Sequence, residues 1–202
     1  QIYDNNLGPN TGGMGTVSPN PFMPEVLESV FEETILNPFM NGLKSEGIDY
    51  RGVIFIGLMI ENNIAKVLEY NVRFGDPETQ SLMLRLDSDL FEIMYSVATN
   101  TLTSDLVKFN NDHVACLVLS SAGYPGSYEK GKEITGLKEV SDVVIFHAGT
   151  KEVDGKIYTN GGRVLNICAK GTSLEDSRSK VYKAAEIVDF SGKYYRKDIG
   201  LN

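Results

Sequence analysis

The chain has 202 residues, of which 42% are hydrophobic and 23% charged, a composition that fits a globular protein of one large domain or two small ones. Its formal charge of −8 excludes broad attraction to nucleic acid or to an anionic membrane surface. No apolar stretch approaches the roughly 20 residues that a membrane-spanning helix requires.

The chain opens Gln1-Ile2-Tyr3-Asp4 and runs at once into Gly8-Pro9-Asn10-Thr11-Gly12-Gly13-Met14-Gly15, so it is expected to be part of a longer protein. Residues 7–23 are rich in Gly, Pro, Asn and Ser and read as a loop with tight turns. Glycines at this density let a backbone approach a ligand closely and present N–H groups to anionic oxygens. A tight surface turn fits the same residues. The loop is not of the Walker type, because no Gly-Lys-Ser/Thr follows, and within this chain no strand precedes it as a dinucleotide fingerprint requires.

From Pro24 onward Val26, Leu27, Val30, Phe31 and Ile35 recur at helical spacing. Pro38 is expected to kink or interrupt this helix and Gly47 to end its continuation. Residues 51–60 form an apolar, β-branched run expected as a buried strand. Glu61-Asn62-Asn63 then makes a turn, and Ile64 to Phe74 reads as a second strand completing a hairpin. Gly75-Asp76-Pro77 breaks that strand. A helix is expected from Glu78 to Leu86, and Ser88 or Asp89 can cap another that runs to about Asn100.

The stretch from Thr101 to Asp112 is polar, and a domain boundary is placed there, at 104/105. Beyond it, His113–Ser120, Val143–Ala148, Lys156–Thr159 and Arg163–Ala169 are strand candidates, with bends at Pro125-Gly126, Gly131, Gly149, Gly155 and Gly161-Gly162. Ser173 caps a closing helix whose apolar face is Leu174, Val181, Ala185 and Val188. Cys116 and Cys168 each lie inside an apolar run and are expected as buried thiols of a cytoplasmic protein rather than as a disulfide.

The second strand carries the most chemistry. Alternate side chains share a face, so Glu69, Asn71 and Arg73 point one way, while Leu68, Tyr70, Val72 and Phe74 form an expected packing surface. Mg²⁺ takes hard oxygen ligands and commonly pairs one or two protein oxygens with substrate phosphates. Glu69 and Asn71 can supply such oxygens, about 7 Å apart along the strand by its usual rise. Arg73, one step on, can bind a phosphoryl group in transfer. A solvent-facing strand of alternating polarity fits the same spacing.

Together these segments resemble the glycinamide ribonucleotide synthetase family. The resemblance rests on Gly8 to Gly15 followed by Ser18-Pro19, and on the continuous run from Val67 to Gln80. It also rests on Gly123-Tyr124-Pro125-Gly126, Phe146-His147-Ala148-Gly149-Thr150, Thr159-Asn160-Gly161-Gly162-Arg163-Val164 and the closing Tyr195-Arg196-Lys197-Asp198-Ile199-Gly200. It implies an α+β chain: the C-terminal half of an ATP-grasp domain over 1–104, an antiparallel sheet with helices, then a small β-rich domain with one packed helix over 105–202.

The implied reaction is ATP-dependent joining of glycine to phosphoribosylamine through a glycyl phosphate, a step of purine biosynthesis. The partners are then three small molecules, neither nucleic acid nor a membrane. On the matching positions, Glu69 and Asn71 would hold Mg²⁺ or Mn²⁺, and Arg73 would stabilise the transferring phosphoryl group. Asn10, Thr11, Gly12, Gly13, Met14, Gly15 and Asp76 would line the glycine and phosphoribosylamine side.

Arg163 fits a phosphate contact or an inter-domain salt bridge equally. Asp76 and Glu78 could orient Arg73 or contact the amine, and a turn Asp and a helix N-terminal Glu fit the same positions. His113 and His147 lack a nucleophile or metal partner at useful spacing, and a structural hydrogen bond is expected at His147. The strand from Gly52 to Ile60 has no carboxylate, although many ATP-grasp enzymes carry a further acidic ligand there. The N-terminal portion of the enzyme, with the nucleotide-covering lobe, is expected upstream of Gln1, and the isolated chain is expected to be inactive. Two other readings fit: a different ATP-grasp carbon–nitrogen ligase, and a binding module without turnover.

Overall fold

The computed structural model describes residues 1–21, 23, 25–62 and 64–201. Pro24 and Asn63, on which the expected helix start and hairpin turn partly rest, lie outside the described residues, as does the side chain of Val26. The elements in the first half are β1 (Gly15–Ser18), α1 (Glu25–Phe31), α2 (Asn37–Ser45), β2 (Phe55–Glu61), β3 (Ile64–Asn71), α3 (Glu78–Arg85) and α4 (Leu90–Thr99). The second half contributes β4 (His113–Ser121), β5 (Val144–His147), β6 (Thr150–Val153), β7 (Lys156–Thr159), β8 (Arg163–Gly171), α5 (Leu174–Ile187) and β9 (Lys193–Tyr194). The fold is α+β with antiparallel pairing between the named strands.

The chain forms two compact units. One joins Gln1–Pro19, Asp76–Arg85 and Asn110–Asn202, and the other joins Asn20–Gly75 and Leu86–Phe109. The first, the sheet unit, is built on β4 and β8, which pair along their length with β1 and β9 beyond β4 and β5 beyond β8. Leu117, Leu119, Leu165 and Ile167 pack under Val181, Ala184 and Ala185 of α5. On the opposite face, α3 is fastened to β1 by a 2.8 Å hydrogen bond between Thr16 Oγ1 and Ser81 Oγ. Burial on both faces is why β4 and β8 read as nearly unbroken apolar runs instead of alternating patterns.

Cys116 and Cys168 sit directly opposite each other across β4 and β8 as buried free thiols. The neighbouring Cys116 sulfur, together with burial, pushes the Cys168 thiol far up. Ser173 caps α5 by accepting from the Asp176 N–H, as its position in the sequence predicts.

Three strands of this unit were not expected: β1, β6 and the two-residue β9, which pairs with Ser120 and Ser121 of β4. Gly15–Ser18 reads as loop, yet β1 pairs with Val114–Leu117. Its partner lies about a hundred residues away, and four residues carry too short a pattern to announce a strand. β6 pairs with β7 around Asp154-Gly155, both at positive φ, which is the two-residue turn that Asp-Gly favours.

The second, or hairpin, unit contains β2 and β3, paired in register from Phe55↔Asn71 to Glu61↔Ile64 with a bulge at Gly57/Leu58. β3 stops at Asn71, three residues before the expected Phe74, because β2 begins opposite Asn71 and offers nothing further to pair with. The expected packing face is not buried: Leu68 is 62% and Val72 74% exposed, while Tyr70 stacks on Phe39 with centroids 4.8 Å apart.

The helix is interrupted beside Pro38 without ending there. The turn before it, Glu32–Leu36, widens to π geometry, and Pro38 lies in the first turn of α2, where its missing N–H costs little. Gly47, at φ 66, closes α2 in a Schellman arrangement: Ile48 N–H donates to Leu43 O and Gly47 N–H to Lys44 O. Asp89 caps α4 by accepting from the N–H groups of Phe91 and Glu92. No described helix is long and apolar enough to cross a membrane.

Candidate functional site

The glycine-rich loop belongs to the sheet unit, and its tip is held by side chains rather than by backbone. Among the described residues, no backbone–backbone hydrogen bond involves residues 10–13. Gly13 N–H donates to Thr11 Oγ1 at 3.1 Å, and Gly12 N–H donates to the Tyr124 hydroxyl at 3.1 Å. Arg163 Nη1 donates to Gly12 O at 2.6 Å and to Asp76 O at 2.7 Å, while its Nη2 donates to Asp76 Oδ2 at 2.9 Å. The other Asp76 carboxylate oxygen, Oδ1, accepts from Gln80 Nε2 at 3.0 Å.

The glycines are needed here for distinct reasons. Gly13 has φ 109, and a Cβ on it would come within 2.6 Å of Pro77 Cδ. A Cβ on Gly12 would meet the Arg163 guanidinium at 3.0 Å. Asn10 and Gly12 face outward, whereas Met14 is buried and Gly15 already belongs to β1. The Arg163 guanidinium is engaged by Asp76 and by loop carbonyls, in an ion pair internal to the sheet unit.

The base of the loop has its own anchor. Arg196 grips Asp198 through two bonds of 2.7 and 2.6 Å, and its Nη1 donates to Gln1 O and Asn6 Oδ1. Asp198 also accepts from Asn5 N–H, and Asp4 accepts from Lys197 N–H, each at 2.7 Å. The Arg196 guanidinium holds the Asp198 carboxyl well below the usual carboxylate range. Tyr124 and the Arg196–Asp198 pair escape a residue-by-residue reading because their partners lie more than a hundred residues away. Both stand inside segments that carry the family resemblance, which is the one signal pointing to them.

Glu69, Asn71 and Arg73 belong to the hairpin unit. Glu69 stands opposite Gly57, whose missing side chain makes room for it: a Cβ on Gly57 would lie 3.1 Å from Glu69 Cγ. Among the described residues, the Glu69 carboxylate is exposed with no hydrogen-bond partner, and Asn71 at the end of β3 accepts from Arg73 Nη2 at 3.3 Å. Arg73 lies past the strand end and also donates to Phe74 O at 2.9 Å. Its side chain thus reaches Asn71 by folding back rather than by strand alternation.

Among the described residues, no cluster of three His, Cys, Asp or Glu could hold a metal ion. One exposed carboxylate beside an amide oxygen is a hard, sparse donor set that suits Mg²⁺ or Mn²⁺ sharing its coordination sphere with phosphates. His147 Nδ1 lies 3.0 Å from Thr150 Oγ1, a structural hydrogen bond within the turn joining β5 and β6.

Two family models match the chain: the ATP-grasp (A) domain of phosphoribosylglycinamide synthetase over residues 1–79, and the C domain of the same enzyme over residues 114–202. The phosphoribosylamine–glycine ligase of Caldanaerobacter subterraneus subsp. tengcongensis is 45% identical over 98% of this chain and 48% of its own length. The crystal structure of phosphoribosylamine–glycine ligase from Thermotoga maritima superposes with a TM-score of 0.84 at 38% identity, over 99% of this chain and 49% of its own. The biotin carboxylase domain of a thermophilic 2-oxoglutarate carboxylase, at 13% identity, matches over 96% of this chain and 42% of its own with a TM-score of 0.63, a likeness of fold alone. The chain spans about half the length of the curated relatives it matches. Matched in order along its length, the chain belongs to the phosphoribosylglycinamide synthetase family and carries an ATP-grasp fold.

Proposed function

We propose that this chain is the C-terminal portion of a phosphoribosylamine–glycine ligase, which joins glycine to 5-phosphoribosylamine at the expense of ATP in purine biosynthesis in the cytoplasm. The division at 104/105 into an ATP-grasp part and a C-terminal domain belongs to the same reading, as does the need for an N-terminal portion to complete the nucleotide site. The observation that carries it is the Glu69-Tyr70-Asn71-Val72-Arg73 segment, with an exposed carboxylate that has no partner among the described residues on a hairpin strand, in a chain matched by that family over both halves.

In this reading a glycine carboxylate oxygen attacks the γ-phosphorus of ATP, and the bond to the bridging oxygen breaks to release ADP. The acyl phosphate so formed has a good leaving group where the carboxylate had none. The amine of phosphoribosylamine then attacks the acyl carbon, phosphate departs, and the amine proton is lost as the amide forms.

Glu69 and Asn71 hold the divalent cation, Mg²⁺ or Mn²⁺, which when bound screens the phosphate charge. Arg73 supports charge on the transferring phosphoryl group. Asn10, Thr11, Gly12 and Gly13, with Asp76, line the side for glycine and phosphoribosylamine, and Met14 and Gly15 form the base on which that loop stands.

The test is ADP release that requires both glycine and freshly prepared phosphoribosylamine, measured on the full-length protein that contains this chain. The full-length protein should turn over, and the isolated 202 residues should not. Glu69→Ala should lower the rate by about a hundredfold or more, the loss of several kcal/mol of charge stabilisation, with the melting temperature unchanged. Full-length protein that releases no ADP in response to both substrates would sink the reading and bring a binding role forward.

A further inference from the structure

We propose that Arg163 and Tyr124 are positioning residues that set the shape of the glycine-rich loop for its small-molecule substrates, an inference resting on the ligase reading above. Gly12 is gripped through both its backbone polar groups: the Tyr124 hydroxyl accepts from its N–H at 3.1 Å, and Arg163 Nη1 donates to its carbonyl at 2.6 Å. These side chains arrive from 112 and 151 residues along the chain, within the stretch matched by the C-domain model, onto a loop matched by the ATP-grasp model.

Three features make this more than a stabilising contact. The loop tip has no backbone–backbone hydrogen bond of its own among the described residues, so its conformation is whatever these side chains and Thr11 impose. Arg163 binds Gly12 O, Asp76 O and Asp76 Oδ2 at once, fixing the loop against the turn that opens α3. The planar fork of a guanidinium can do this and a lysine ammonium cannot reproduce it. Finally, Gly162 has no room for a Cβ beside the Tyr124 ring, so the Tyr124 ring lies close against the backbone immediately before Arg163.

A misplacement of even a fraction of an ångström at a substrate-orienting loop is felt in the rate, because the reacting groups must be held near attack distance. Arg163 and Tyr124 act through the loop and need touch no substrate. Their loss should therefore weaken the handling of glycine and phosphoribosylamine while leaving nucleotide binding in place.

The experiment uses the full-length protein and its Arg163→Ala, Arg163→Lys and Tyr124→Phe variants. It reads KM for each substrate, kcat, the Kd of Mg-ATP from a titration without glycine, and the melting temperature. Arg163→Ala should raise KM for glycine or phosphoribosylamine by about tenfold or more, with the Mg-ATP Kd within about twofold of the parent. Arg163→Lys should recover only part of that loss.

Tyr124→Phe removes one acceptor and little volume, so it remains testable if Arg163→Ala fails to fold. It should raise the same KM values severalfold with the melting temperature nearly unchanged. Folded variants with parental KM values would overturn the inference. So would KM and Mg-ATP Kd rising together in step with a fall in melting temperature, which is general loosening. A parent that shows no glycine-dependent ADP release sinks the ligase reading, and this inference with it. An active parent with indifferent variants sinks the inference alone.

Discussion

The two compact units hold their candidate functional residues by opposite means. In the sheet unit, the glycine-rich loop takes its shape from side chains 112 and 151 residues away. In the hairpin unit, Glu69 is placed by the strand opposite, and Arg73 by the residues one and two positions before or after it. The packing differs in the same sense. Leu117, Leu119, Leu165 and Ile167 are fully buried beneath α5, while Leu68 and Val72 on or just past β3 stand mostly in solvent. A loop shaped from afar needs a rigid body to carry the distant groups to it. A row on a hairpin needs only its neighbouring strand.

The sharpest way to break this comparison is a pair of truncations in the isolated chain, followed by urea denaturation. Ile167→Ala removes a buried side chain from the centre of the sheet unit and should cost about 2–5 kcal/mol. Leu68→Ala, on the exposed face of β3, should stay within about 0.5 kcal/mol of the parent. Equal losses from the two would mean that Leu68 is packed in the isolated chain, and the contrast between the units would fail.

What the sequence made legible follows the same line. The capping residues Asp89, Ser173 and Gly47 act on their own helix ends, so residue type and spacing suffice to place them. β4 and β8 are legible because burial on both faces writes a long apolar run into the chain. β1 was invisible, since four residues gain strand character only from β4. Glu69 and Asn71 could be placed on a strand by alternation, but the early end of β3 at Asn71 could not, because it is set by where β2 begins. Arg163 could be singled out without its purpose. Its ion-pair partner Asp76 lies 87 residues away, and nothing local distinguishes a phosphate ligand from a structural guanidinium.

A medium-sized effect tests the anchor at the base of the loop. Asp198 has its carboxyl held down by Arg196 and by the Asn5 N–H, so its folded pKa lies below the unfolded value of about 3.9. The stabilisation is therefore complete above that unfolded value and is lost progressively as pH falls from there through the folded one. Unfolding free energy measured in urea between pH 6 and pH 2 should decline at the acid end, and Asp198→Asn should flatten part of that decline. Hydrogen exchange at the Asn5 amide should quicken in the same variant, because that N–H loses its charged acceptor. An unchanged acid limb would mean that other carboxylates carry the pH dependence and that the clamp adds little.

The smallest expected effect bears on the local half of the comparison. If Glu69 is placed only by the strand opposite, its position should answer to Gly57, where a Cβ would lie 3.1 Å from Glu69 Cγ. Gly57 is not at positive φ, so Gly57→Ala meets no backbone penalty, and the reduced freedom of the unfolded chain favours the variant by about 0.4–1 kcal/mol. The crowded Glu69 side chain must give way by a few tenths of an ångström. In the full-length protein, the Mg²⁺ concentration for half-maximal ADP release should therefore rise by about three- to tenfold, below the range typical of lost supporting groups around a metal. Stability and metal dependence would then move in opposite directions: the variant is as stable as the parent or slightly more so, yet needs more metal. A Gly57→Ala protein with parental Mg²⁺ dependence would show that Glu69 is not held by its cross-strand neighbour, and the locality of the hairpin site would have to be given up.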